Sequence, residues 1–173
     1  PATGVALGQD GRLLATANAL GRVAVWERPG TGPILRLRPD DESPFPTHLR
    51  CSPDGNHLLI IGPQTAIVPL SATVTAPLRL FGHLGPTLRG AFSAMGHEVV
   101  TLGKDRTVRV YDAQFGTQKL ILRPEDPRDV LFAKGDGRLL VACGKQQSIV
   151  EYPSSLARLR RQACELLAPG SDD

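Results

Sequence analysis

Gly96-His97-Glu98-Val99-Val100-Thr101-Leu102-Gly103-Lys104-Asp105-Arg106-Thr107-Val108-Arg109-Val110-Tyr111 sets a pattern that recurs through the chain. A turn glycine opens it and the β-prone run Val99–Leu102 follows. A polar turn then leads into Val108–Tyr111, which ends in a large hydrophobe fifteen residues after the glycine. The same offset joins Gly11 to Trp26, Gly55 to Leu70 and Gly137 to Tyr152. Successive turn glycines are 44, 41 and 41 residues apart, inside the ~40–45 residues expected for one four-stranded propeller blade.

Outward from these pairs, the hydrophobic runs have the length and alternation of strands. The first unit offers Leu13–Ala17, Val23–Trp26 and, beyond Pro29-Gly30-Thr31-Gly32, a run through Ile34, Leu35 and Leu37. The second offers Leu49 and Cys51, Leu58–Ile61, Ala66–Leu70 and Leu78–Phe81; the third adds Leu88–Phe92 and Lys119–Leu122 to the quoted pair. The fourth gives Val130–Phe132, Leu139–Ala142 and Ile149–Tyr152, then stops. Such units cannot bury both faces alone, so neighbours must stack. The expected fold is all-β, an arc of about four blades over residues 1–38, 39–81, 82–123 and 124–152. The tetrapeptide Ser52-Pro53-Asp54-Gly55 carries suitable turn chemistry, since Pro presets φ, Asp bonds its own backbone and Gly accepts positive φ; Gln9-Asp10-Gly11 and Gly135-Asp136-Gly137 are variants.

Composition fits a globular β protein. The chain has 173 residues, 41% hydrophobic and 21% charged, and its 18 Gly and 15 Pro punctuate short strands. No apolar run approaches the ~18 residues of a membrane span, and no basic stretch leads into an apolar one at the N-terminus. Cys51, Cys143 and Cys164 are odd in number and form no C-x-x-C pair, which argues against a disulfide framework or zinc site and for reduced thiols, the first two buried. A net charge of +3 is too small to indicate nucleic acid. The expected location is intracellular and cytoplasmic, with cytoskeletal, centriolar and nuclear settings open.

Residues 4 to about 152 resemble the WD40-repeat β-propellers, most clearly in the third unit. There Gly82-His83, Ala91-Phe92-Ser93, Val99-Val100-Thr101 and Lys104-Asp105-Arg106-Thr107-Val108-Arg109-Val110-Tyr111-Asp112 match the family's signals. The resemblance implies a buried hydrogen-bonded set of His83, Thr101, Asp105 and Tyr111. A buried carboxylate is costly unless bonded, and a His that orients it fixes the hairpin turn against the neighbouring loop. The other units depart from the pattern. The first keeps Thr16 and Trp26 but has Leu20 at the Asp position; the second has Ile60, Gln64 and Leu70; the fourth has Ala142, Gln146 and Tyr152.

Nothing in the pattern suggests catalysis, a metal or a cofactor. The pair Asp105 and His83 suits a structural bond better than acid–base work, and His48, His57 and His97 show no ligand spacing. A propeller enzyme with a cofactor or metal in its channel is the alternative, but the inner-strand residues Ala91, Val130 and Leu131 are apolar or small. The acidic run Asp40-Asp41-Glu42 before Ser43-Pro44 reads as a solvated loop, with a short binding or proline-directed phosphorylation loop as the second reading. The rim at the narrow end of the channel is expected to present Phe45, Leu84, Pro86, Lys104, Asp126 and Lys145. Phe45 lies between two prolines as a potential anchor, and Lys104 with Lys145 would offer ammonium groups on adjacent turns to an acidic partner segment.

After Tyr152 the pattern changes. Leu156, Leu159, Ala163, Leu166 and Leu167 follow helical spacing up to Pro169-Gly170, behind a Ser154 or Ser155 cap and with Arg158, Arg160 and Arg161 on the polar side. Residues 153–173 are expected to form a short C-terminal α-helix and acidic tail, which either packs on the last unit or docks on another protein; membrane binding is disfavoured. Four units make an arc, in which the first is expected to lack the start of its inner strand and the fourth its outer strand. The expectation is a C-terminal fragment whose ring is completed by further blades of a parent chain. The expected function is a non-catalytic scaffold for protein–protein interactions in a larger assembly.

Overall fold

A computed structural model of the chain describes residues 2–9, 11–27, 30, 33–37, 46–70, 76–133, 137–145 and 147–155; for residues 2, 3 and 33–37 it describes the backbone path alone. The expected C-terminal helix, the acidic loop and Phe45 lie outside the described residues. Four antiparallel sheets follow one another along the chain. The first contains β1 (Ala2–Leu7), β2 (Leu13–Asn18), β3 (Val23–Glu27) and β4 (Pro33–Leu37). The second contains β5 (His48–Cys51), β6 (His57–Ile61), β7 (Ala66–Pro69) and β8 (Leu78–Arg79). The third contains β9 (Thr87–Phe92), β10 (Glu98–Gly103), β11 (Val108–Asp112) and β12 (Gln118–Leu122), and the fourth β13 (Pro127–Phe132), β14 (Arg138–Cys143) and β15 (Ser148–Pro153).

Each sheet is a meander in chain order. The first strands β1, β5, β9 and β13 pack side by side as the innermost layer, so the sheets radiate as propeller blades. Pairing is confined to each sheet among the described strands, and nothing joins β1 to β15; the arc is open. β1 is a full six-residue inner strand, longer than the sequence suggested, whereas the fourth sheet has three strands among the described residues.

The repeat glycines close the turn after each inner strand. Gly11, Gly55, Gly96 and Gly137 have φ of 70°, 71°, 75° and 61°, the left-handed region that a side chain resists. The closure recurs around them: Ser52 N donates to His57 O at 2.8 Å and Gly55 N to Ser52 O at 3.0 Å, matched by Ser93 N to Glu98 O at 2.8 Å and Gly96 N to Ser93 O at 2.9 Å.

The core lies between blades, and strand alternation decides which side chain serves which neighbour. Leu49, Leu58 and Val68 of the second blade join Ala15 and Val25 of the first in one cluster. Their chain neighbours Leu59, Ile61 and Ile67 point the other way and join Val99 and Ala113 of the third. Val100, Leu102, Val108 and Val110 then meet Val130, Leu139 and Val141 of the fourth. Each such Leu or Ile contributes about 1.5–3 kcal/mol by leaving water. Cys143 is buried and Cys51 half-buried, neither of them in a disulfide.

Spacing alone does not guarantee burial. Tyr111 is 1% exposed between two blades, while Trp26, at the matching position of the first blade, is 37% exposed. The run Leu78–Phe81 also differs from expectation: the strand ends at Arg79, and the Phe81 side chain stands 75% exposed ahead of Gly82 at φ 126°.

Candidate functional site

The candidate site is the rim where the segment 81–86, entering the third blade, meets the β10–β11 hairpin at 103–107. The hairpin closes by Arg106 N donating to Gly103 O at 3.0 Å and Gly103 N to Thr107 O at 3.1 Å. Asp105 fills it: Oδ1 accepts from Thr107 N at 3.1 Å and from the Thr107 hydroxyl at 2.9 Å, and Oδ2 accepts from Leu84 N at 2.9 Å. The last bond crosses to the other loop, 21 residues upstream. Lys104 N donates to Pro86 O at 2.9 Å and reinforces the crossing.

His83 fits beneath this carboxylate. Its Nδ1 is 3.0 Å from Asp105 Oδ1 and its Nε2 2.8 Å from the hydroxyl of Thr101, inside β10. Tyr111 completes the set through the backbone, its hydroxyl donating to Phe81 O at 2.9 Å. Burial would raise the Asp105 pKa, but the Leu84 and Thr107 amides, the Thr107 hydroxyl and His83 outweigh it and hold the carboxyl at about 2. Burial lowers the pKa of His83, against the attraction of Asp105, so near neutral pH the pair is a neutral imidazole bonded to a carboxylate.

Three further residues, Thr107, Arg109 and Gln118, join the network beyond the set of His83, Thr101, Asp105 and Tyr111. Thr107 bridges, with its hydroxyl also 3.1 Å from His83 Nδ1. Arg109 is buried in mid-strand, donates from Nε to Thr107 at 3.1 Å and from Nη1 to Gln118 Oε1 at 2.5 Å, and lies 3.8 Å from Asp105 Oδ2. Two glycines make room: a Cβ at Gly103 would overlap the His83 ring and the Asp105 carboxylate, and one at Gly82 would overlap the Arg109 guanidinium.

The six expected rim residues meet different fates. Leu84 is 84% exposed on the clamped loop. Lys104 is exposed on the hairpin and Pro86 half-buried beneath it. Asp126 is mostly covered and pairs with Arg128 at 3.0 Å, and Lys145 pairs with Glu125 at 3.2 Å. The expected basic pair therefore reduces to Lys104, with the exposed Arg106 beside it. Phe81, which was expected in a strand, is the second large apolar group on this rim. It borders a pocket of about 180 Å³ with Leu80, His83, Thr65 and Thr87.

The inner strands are more polar than Ala91, Val130 and Leu131 suggested. β5 carries His48 and Arg50, β9 Arg89, and β13 Arg128 and Asp129. Even so, among the described residues no group of three or more His, Cys, Asp or Glu is placed to hold a metal, and no helix is long and apolar enough to cross a membrane.

No family model matches the chain. The meiotic recombination protein rec14 of Schizosaccharomyces pombe is 32% identical over 111 residues, 63% of this chain and 36% of that protein. The solved structure of U3-55K superposes with a TM-score of 0.66 at 16% identity, covering 88% of this chain and 51% of the other. The chain thus spans about a third of its curated relative and about half of the solved structure. That identity speaks to fold alone, and with the four radiating sheets it makes the chain a β-propeller arc.

Proposed function

We propose that the chain is part of a WD40-type scaffold that holds other proteins in a larger assembly, without catalysis, and that the rim at 81–86 and 103–107 is where a partner engages. The observation that carries this reading is the pairing of exposure with rigidity. Phe81 and Leu84 are 75% and 84% exposed, yet their loop is tied to Tyr111, Asp105 and Lys104 by hydrogen bonds. An apolar anchor on a fixed loop loses little entropy on binding. Lys104 and Arg106 beside it suit a partner segment combining an apolar side chain with acidic residues. The Gly82-His83, Thr101, Asp105 and Tyr111 set supports the WD40 assignment. Cys51 and Cys143 as thiols outside any disulfide suit a reducing, intracellular setting. The open faces of the first and last blades suit completion of the ring by further blades of a parent chain, and the likeness to rec14 makes a recombination complex one setting to test.

Affinity purification of the parent protein, unaltered and with Phe81→Asp plus Leu84→Asp, tests the proposal. The double variant is expected to lose a defined set of partners, while Met95→Asp, equally exposed on the opposite rim, keeps them. Identical partner sets from all three would overturn it.

A further inference from the structure

His48 and Arg50 on β5 and Arg89 on β9 sit on adjacent inner strands. Arg89 Nη1 lies 3.4 Å from His48 Nε2. A guanidinium only donates, so Nε2 faces it as an acceptor and the ring proton belongs on Nδ1. That Nδ1 is buried without a partner. The two guanidiniums donate to backbone oxygens of their own strands, Arg50 Nη1 to Leu49 O at 3.1 Å and Arg89 Nη1 to Leu88 O at 2.9 Å, and neither makes an ion pair among the described residues. Several other cations of the blades are matched, Arg109 with Asp105, Arg128 with Asp126 and Lys119 with Glu98 and Asp112. Burial, then Arg89 and Arg50, lower the His48 pKa against a smaller opposing effect of Asp129, so both positive charges are felt at the ring. Two like charges held about a neutral imidazole form a cluster rich in donors and poor in acceptors, and the planar guanidinium fork matches the spacing of carboxylate and phosphate oxygens.

We propose that Arg50 and Arg89, with His48 orienting Arg89, form an oxyanion site on the inner strands, receiving a carboxylate or phosphate group of a ligand. Arg89 pairs in register with Leu102, close to the β10–β11 hairpin, so the group would enter from the end of the channel that carries the rim. The site is independent of the apolar anchor at Phe81 and Leu84, and each stands if the other fails.

The test is an NMR titration of the full chain with inorganic phosphate and, separately, with acetate, against sodium chloride at matched ionic strength. Saturable shifts of the Arg50 and Arg89 side-chain N–H signals are expected, with affinity about ten-fold weaker in Arg89→Gln or Arg50→Gln, as for loss of one charged hydrogen-bond pair. Arg22→Gln, an exposed hairpin cation, is expected to leave affinity unchanged. Arg50 is exposed, so its variant tests the site even where Arg89→Gln disturbs folding. Tighter binding of phosphate identifies a phosphorylated ligand; equal or tighter binding of acetate identifies an acidic side chain or chain terminus. Shifts that chloride reproduces, or that persist undiminished in both variants, would overturn the site.

Discussion

The β2–β3 hairpin of the first blade and the β10–β11 hairpin of the third share a backbone and differ in what their side chains reach. Gly21 N donates to Asn18 O at 2.9 Å and Asn18 N to Arg22 O at 3.0 Å, the same closure as Arg106 to Gly103 and Gly103 to Thr107. In the first blade Asn18 Oδ1 accepts from Leu20 N at 2.9 Å and Arg22 N at 3.1 Å, so the turn satisfies itself within five residues. In the third, Asp105 reaches Leu84 and His83 on another loop. The propeller shape thus needs only a local cap. The cross-loop network adds a rigid rim, and it is there that Phe81 and Leu84 are presented.

The largest effect that separates the two hairpins is removal of the capping side chain. Asp105→Ala leaves Arg109 buried without its carboxylate and frees the Leu84 and Thr107 amides. The expected loss is about 3–5 kcal/mol, as for breaking a buried pair. Asn18→Ala removes two bonds at an exposed turn and is expected to cost about 1 kcal/mol. Urea unfolding of both variants measures the difference, and equal losses would end the distinction between a local and a cross-loop cap.

Acid should erode the same difference. The Asp105 carboxyl is held at about 2 in the folded chain against an ordinary 3.8. The unfolded chain therefore takes up the proton first as pH falls. The stability that Asp105 contributes is complete above about pH 5 and is mostly lost by about pH 2, about 2 kcal/mol by linkage. His83, lowered by burial, acts in the same direction from below pH 6.5. The stability gap between the unaltered chain and Asp105→Ala is expected to narrow between pH 5 and pH 2 while the gap for Asn18→Ala holds. A constant Asp105 gap would mean that the carboxylate is not held in its ionised form.

Much of the architecture is legible in the chain because it depends on backbone requirements. Four glycines with φ between 61° and 75° must be glycine or pay for it in strain, and they recur at nearly fixed spacing. Positions whose neighbours come from another blade are less legible. Trp26 and Tyr111 occupy the same place in the repeat, yet Tyr111 is buried and Trp26 is exposed. Arg109, a charged residue within a β-prone run, is buried and bonded to Thr107 and Gln118 where Gly82 leaves room for its guanidinium. His83, Thr101 and Asp105 are recognisable as a set, but the outward turn of Phe81 depends on the path at Gly82. The pairing of Arg50 with Arg89 across His48 depends on which inner strands lie together, and no single strand records that.

The smallest expected effect concerns one backbone position that the two hairpins fill differently. Gly21 adopts φ 73° in the first, and Arg106 adopts φ 62° at the equivalent place in the third. A non-glycine residue there stores about 1 kcal/mol of strain, tolerated only where surrounding bonds fix the conformation. Asp105 and Thr107 on either side supply those bonds. Arg106→Gly therefore relieves strain while adding unfolded-state freedom, and the balance should be a gain below about 1 kcal/mol. Gly21→Ala, with only the Asn18 cap to hold the turn, should lose about that much. If Arg106→Gly destabilised the chain instead, the Arg106 side chain would be contributing to the rim beyond its backbone, and the polar clamp would extend one residue further than its hydrogen bonds show.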